Sequence, residues 1–111
     1  MLVVRKDYLN EDGSLGWVES VFASGNILKS TYFPHKERMY LSFSRGHTYS
    51  YGNISQELYN EFEEVESQGE YFAKNIAKND KYPATKEFTL YPYEIEEVRG
   101  MIIEHKNKLK K

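Results

Sequence analysis

No cysteine occurs anywhere in the chain. Disulfides, thiolate metal sites and thiol catalysis are therefore excluded. Proline is also scarce, at 3 residues, and each one marks a boundary: Pro34 after an apolar strand pattern, Pro83 in a loop, Pro92 before a helical pattern. No apolar run approaches the ~20 residues needed to cross a bilayer as a helix. The opening stretch "MLVVRKDYLN" holds too short an apolar run for a secretory signal, so a cytoplasmic location without membrane association is expected. An excess of positive charge is missing as well. Lys and Arg number 15 against 17 Asp and Glu, a net charge of −2, where a general nucleic-acid binder is basic overall. Catalytic signatures are absent. There is no P-loop, GxGxxG or HExxH, and His35, His47 and His105 are scattered without metal-ligand spacing. We therefore expect no enzyme, no metal and no cofactor.

What the chain does have is aromatic side chains, with 10 tyrosines and 6 phenylalanines among 111 residues. Such residues favour strands, and tyrosine combines an apolar ring with a wet hydroxyl. Charge is distributed unevenly. Residues 57–70 carry Glu57, Glu61, Glu63, Glu64, Glu66 and Glu70 with no cation. The following segment to Lys86 carries Lys74, Lys78, Lys81 and Lys86 against Asp80 alone, and the tail adds Lys106, Lys108, Lys110 and Lys111. A polyanion would have to meet these later segments.

Hydrophobic periodicity predicts one α+β domain spanning 1–111. Alternation marks strands at 2–9, 17–22, 27–33, 39–44 and 47–51, with Asp12-Gly13 as a hairpin signal between the first two. The period then changes. Ser55 is a good N-cap, Ile54 is placed to staple onto Tyr59, and Gly69 is expected to end that helix. A short helix at 70–78, a strand at 87–91 and a helix opening near Pro92 follow. The predicted architecture is an antiparallel meander followed by helices packed on one face, with an extra N-terminal hairpin and a C-terminal amphipathic helix. The apolar stripe Ile95, Val98, Ile102 of that last helix has two homes: the sheet, or a second copy of the chain.

The middle of the chain, from Ser24 to Pro83, resembles the KTSC domain, a module of roughly 60 residues found at the C-terminus of some lysyl-tRNA synthetases and as small free-standing proteins of bacteria and phages. The residues that carry the resemblance are Ser24, Asn26 and Ile27, Ser30 and Tyr32, Leu41, Phe43 and Gly46, then the central YxY of Tyr49-Ser50-Tyr51. They continue with Tyr59, Ser67, Gly69, Tyr71-Phe72, Asn75-Ile76 and Tyr82-Pro83. The ordered set, ending in G-x-YF-x-x-NI and then YP, is what is specific. The resemblance implies a small sheet-plus-helix fold and an RNA-binding role. Residues 1–23 and 84–111 lie outside it.

Candidate ligand-binding residues follow from these patterns. Tyr49 and Tyr51 share a strand face and could stack on bases, or they could pack beneath a helix. Lys74 and Lys78 fall on one helix side beside Asn75, giving cations for phosphate and an amide for a base or ribose edge, or else a solvated face. Arg45 at a turn adds a guanidinium, and Phe72 a further ring. The expected ligand is RNA or a nucleotide. The alternative is a small homo-oligomer, joined through its C-terminal helix, that sequesters a nucleotide-like molecule or inhibits a protein partner.

Overall fold

A computed structural model describes residues 1–109; Lys110 and Lys111 of the basic tail lie outside the described residues. Five strands come first: β1 (Leu2–Leu9), β2 (Leu15–Phe22), β3 (Ile27–Phe33), β4 (Arg38–Phe43) and β5 (His47–Tyr51). A short 3-10 turn at Pro34–Lys36 separates β3 from β4. Helices α1 (Gln56–Glu64) and α2 (Gln68–Asn75) follow, then β6 (Ala84–Thr89) and α3 (Pro92–Leu109). All six strands form one antiparallel sheet in chain order. The final strand starts three residues earlier than its apolar residues suggest and pairs with β5, from Tyr51 opposite Ala84 to His47 opposite Thr89.

Alternation sorts the strand residues between two faces. On the first face, Val18, Tyr32, Met39 and Tyr51 line up across four strands, and Ser20, Ser30, Leu41 and Tyr49 form the next row. Helices α1 and α2 cover this face. Phe62 meets Phe22 edge to face at 5.3 Å, and Tyr59 stacks on Tyr32 at 4.3 Å with the rings nearly parallel. Ile54, Ile76 and Val18 complete the same buried cluster. The extra helix α3 lies against the opposite face, where Ile95, Val98 and Ile102 pack on Val3, Val21 and Leu28. Of the two homes open to that stripe, the chain uses the sheet. A register shift in β3 between Ile27 and Lys29 places Ile27 in the first cluster and Leu28 in the second.

Caps set the helix boundaries. The Ser55 hydroxyl accepts from the Leu58 amide at 3.1 Å, as its position requires. Ser67 does the same for α2 by accepting from Glu70 N. Gly69 does not end α1, contrary to its sequence signal: α1 stops at Glu64, Val65 turns extended, and Gly69 lies in the first turn of α2. Ser67, a residue with a capping hydroxyl, starts the new helix before the glycine is reached. Gly46 has φ +92°, and a Cβ there would sit 2.9 Å from Ile95 Cδ1. A bare backbone at the β4–β5 turn is what lets α3 approach the sheet.

A polar line runs through the first-face core. The Glu63 carboxylate, on a residue 5% exposed, takes Arg5 Nη1 at 2.5 Å and the Ser20 hydroxyl at 2.5 Å. The Tyr59 hydroxyl joins Ser20 at 3.2 Å and Ser30 at 2.8 Å. An isolated buried carboxylate is strongly disfavoured, so Arg5 on β1 ties the N-terminal hairpin to α1. Arg5→Ala should destabilise the fold by ~1–3 kcal/mol, below the usual ~3–5 kcal/mol for splitting a buried pair because Arg5 is partly open to solvent. Tyr59→Phe, which keeps the stacked ring, should cost about 1–2 kcal/mol. Urea unfolding measures both, and an unchanged midpoint for Arg5→Ala would show that the pair holds nothing together.

Burial also sets an alkaline limit. Burial first, and then the Glu37 charge, pushes the Tyr32 phenol up to about 12. Burial first, and then Tyr49, does the same for Tyr51, also to about 12. An unfolded chain releases these protons near pH 10. Between about pH 10 and 12 the folded state therefore binds more protons than the unfolded one, and stability falls as pH rises. The contribution is complete below pH 10. Ultraviolet titration of phenolate should show these rings ionising only as the fold is lost, and early, reversible ionisation of every tyrosine near pH 10 would contradict it.

Candidate functional site

The two tyrosines of the YxY lie on the covered face. Tyr51, only 6% exposed, packs edge to face on Phe72 at 5.3 Å, and Phe43 bridges Phe72 at 5.5 Å and Tyr49 at 6.2 Å. Tyr49, Tyr51 and Phe72 thus meet as a wall of the core and not as an open stacking platform. The physical reason is the pleat: odd positions of β5 share the face that α2 closes. Asn75 is exposed on α2, where its amide nitrogen donates to Tyr71 O at 3.0 Å, one turn back. Lys74 is exposed beside a hollow of about 550 Å³ that also contains Glu66 and Glu70. Lys78 follows α2 in a left-handed conformation, φ 57°, and is also exposed. Arg45, exposed at the β4–β5 turn, borders a shallow depression with Pro92, Ile95, Glu96 and Arg99. The structure gathers the three rings, keeps Lys74 and Asn75 on one hollow, and leaves Arg45 at a different place.

The second face of the sheet offers the other arrangement. Only the end near α3 is covered. Three rows of side chains cross it, and they can be read from the strand register. The row beside α3 runs Val4, Val21, Lys29, Ser42, Thr48, Phe88. The middle row runs Lys6, Glu19, Thr31, Tyr40, Ser50, Thr85. In the third, Tyr8 lies opposite Trp17 and Phe33 opposite Arg38.

Aromatic rings touch in sequence along this face. Tyr8 stacks on Trp17 at 4.7 Å, Trp17 leans on Phe33 at 6.3 Å, and Phe33 meets Tyr40 edge to face at 5.7 Å. These rings are half-buried, which leaves part of each surface open. Past Tyr40 lies a cavity of about 210 Å³ lined by Lys29, Thr31, Phe33, Tyr40, Ser42, Thr48 and Phe88. Phe88 on its far rim is 49% exposed.

Charge separates this face from the other hollows. A depression of about 680 Å³ carries Glu63, Glu64 and Glu66 with Arg5 and the Met1 ammonium, and the hollow at α2 carries Glu66 and Glu70 with Lys74. Both are predominantly acidic and would repel a polyanion. Around the aromatic row the named cations are Lys6, Lys29, Lys36 and Arg38, and the named carboxylates are Glu19 and Glu87. Lys36 Nζ lies 5.8 Å from the Phe33 ring centre. Glu19 accepts from the Tyr8 hydroxyl at 3.2 Å and Glu87 from the Ser50 hydroxyl at 2.7 Å. Arg38 donates to Ser50 at 2.9 Å. Among the described residues, no three His, Asp or Glu side chains converge where a metal ion could be held.

Tyr8, Trp17, Phe33, Tyr40 and Phe88 were not among the sequence candidates. A signal for them exists in the alternation. Trp17 precedes the buried Val18, and Phe33 follows the buried Tyr32, so strict period two sends both rings to the other side.

Comparison with known proteins bears on the fold. No curated protein matches the chain. The crystal structure of a KTSC domain protein from Yersinia pestis superposes with a TM-score of 0.57 at 23% identity, over 63% of this chain and 96% of that one. At this identity the likeness concerns the fold alone. The family model of the KTSC domain matches residues 23–82, which take in β3, β4, β5, α1 and α2 and leave β1, β2, β6 and α3 outside. With more than half of its length matched in this way, the chain belongs to the KTSC domain family.

Proposed function

We propose that this chain is a non-catalytic binding module that holds single-stranded RNA, or a nucleotide, against the second face of its sheet. The observation that carries the reading is the run of touching, half-open rings Tyr8, Trp17, Phe33 and Tyr40, edged by Lys6, Lys29, Lys36 and Arg38. Any base has a π-face, so such a surface binds single strands with little demand on sequence, at ~1–3 kcal/mol per stacked base. The lysines would meet phosphates, and α3 and β6 would bound the strand on one side. Overall acidity keeps the remainder of the surface from competing.

Fluorescence anisotropy of a labelled single-stranded RNA at two salt concentrations tests this reading. Binding in roughly the micromolar range should weaken as salt rises. Phe33→Ala should weaken it about 5- to 100-fold, in line with the loss of one stacking contact. Lys29→Ala should lower the salt slope by about one. Lys74→Ala/Lys78→Ala should leave affinity within about twofold if binding is confined to the sheet face. Loss of binding in that double variant, with Phe33→Ala silent, would move the interface to α2 and overturn the assignment.

A second reading is favoured by the outer side of α3, where Met101, Ile103 and Leu109 are exposed. It is a homo-oligomer joined through that helix. Sedimentation should then give a species larger than the monomer that Met101→Glu/Ile103→Glu dissolves. A monomer at high concentration would remove this reading and leave the first untouched.

A further inference from the structure

We infer that the hollow between the β4–β5 turn and the start of α3 is a second binding site, apart from the open sheet face, and that it takes a phosphate monoester. This site goes beyond the RNA-binding reading above and does not rest on it. The hollow has a volume of about 340 Å³ and is lined by Ser44, Arg45, Pro92, Ile95, Glu96 and Arg99. Its two guanidinium groups against one carboxylate set it apart from the two acidic hollows on the other side of the sheet.

The arginines reach the hollow from different elements, Arg45 from the β4–β5 turn and Arg99 from α3. Arg99 is already oriented: its Nη2 donates to the Ser44 carbonyl at 3.1 Å. That bond uses one of the five N–H groups of a guanidinium and leaves the others for a ligand. Neither arginine has a carboxylate partner among the described residues, where the ion pairs involve Arg5 and Lys108. Glu96 lines the same hollow without pairing to either one. Both guanidiniums are exposed, so a solute reaches them. Two planar forks arriving from separate elements suit a tetrahedral group, which turns oxygens toward both; a planar carboxylate matches one fork at a time. A monoester also brings nearly two negative charges at neutral pH, one for each arginine, whereas a phosphodiester within a strand brings a single charge. Pro92 and Ile95 line part of the hollow with apolar surface, beside which a charge-assisted hydrogen bond meets less competition from water. Glu96 opposes the charge of the ligand and limits its affinity.

The test follows the arginine Nε–H resonances of the isotope-labelled protein during titration with inorganic phosphate, UMP, uridine or acetate, at neutral pH and constant ionic strength. Phosphate and UMP should move the Arg45 and Arg99 signals together, with millimolar affinity, while uridine and acetate leave them in place. Arg45→Ala should weaken phosphate binding about 3- to 10-fold, the loss of charge-assisted hydrogen bonds at an exposed position. Arg45→Lys should weaken it about twofold or more, because the charge stays and the fork is lost. Glu96→Gln should strengthen it about 2- to 3-fold. Circular dichroism confirms that each variant is folded, and the Arg45 arm stands even where Arg99→Ala loosens α3 by losing the bond to Ser44. Equal affinity for phosphate and UMP assigns the site to the phosphoryl group alone, and tighter binding of UMP assigns it to a nucleotide; either result upholds the site. Acetate moving both signals as strongly as phosphate, or Arg45→Ala leaving phosphate affinity unchanged, would overturn it. Phosphate should not change the fluorescence of Trp17, the single tryptophan of the chain. Quenching of Trp17 by phosphate with the arginine signals unmoved would place the anion on the sheet face and overturn the second site. Failure of RNA to bind the sheet face would leave all of these arginine readouts as they are.

Discussion

The rest of the molecule depends on one contact, the stack of Tyr59 on Tyr32 with the Tyr59 hydroxyl sunk among Ser20 and Ser30. The ring pair supplies apolar burial, and the hydroxyl fixes how α1 sits over β2 and β3. Tyr32 secures the helix entry from the other side by donating to the Ile54 carbonyl at 2.8 Å. Glu63, one turn after Tyr59, then brings in Ser20 and Arg5. Each partner depends on the others because a buried polar group without a hydrogen bond would cost more than the bond itself contributes. The N-terminal hairpin, which lies outside the family match, is joined to the family core through this line.

Commitment of one face has a consequence for the other. A sheet with two helices on one side must leave its second side to solvent, to a further element or to a partner. Here α3 returns across it but covers only the end where Val3, Val21 and Leu28 lie. What is left open is rich in rings and lysines, a composition a purely solvated face has no need of. The segments outside the family match add to this face: β1 and β2 bring Tyr8 and Trp17, β6 brings Phe88, and α3 bounds it at one end. The open face is therefore shared: Lys29, Phe33 and Tyr40 come from the family-matched region, and Tyr8, Trp17 and Phe88 from the segments on either side of it.

Much of the fold was legible before any coordinates. The five leading strands follow from alternation and Pro34, and α1 from Ser55 with the staple of Ile54 and Tyr59, because these signals act over a few residues. Gly69 misled because glycine often follows a helix, whereas here Ser67 caps the next one first. The candidate site was harder to see. Tyr49 and Tyr51 attract attention by their spacing, yet spacing within one strand states only that two rings share a face. Which face a helix closes is a long-range fact, settled by Phe72 and Phe62 arriving from later in the chain. The row of Tyr8, Trp17, Phe33 and Tyr40 is spread over four strands and exists only once their register is known. Lys74, Asn75 and Lys78 are exposed, and helical spacing groups the two lysines, but it could not show that the hollow beside Lys74 and Asn75 also holds Glu66, from the turn before α2, and Glu70, from its first turn.

The account's central claim is that the uncovered sheet face, and not α2 or the YxY, meets the ligand. The most direct test follows the amide and indole resonances of the labelled protein during titration with a short single-stranded RNA. The Trp17 indole N–H and the amides of Thr31, Phe33, Tyr40 and Phe88 should move together, while those of Lys74, Asn75 and Lys78 hold still. Shifts confined to α2 and the segment after it, with the Trp17 indole unmoved at saturation, would contradict the account.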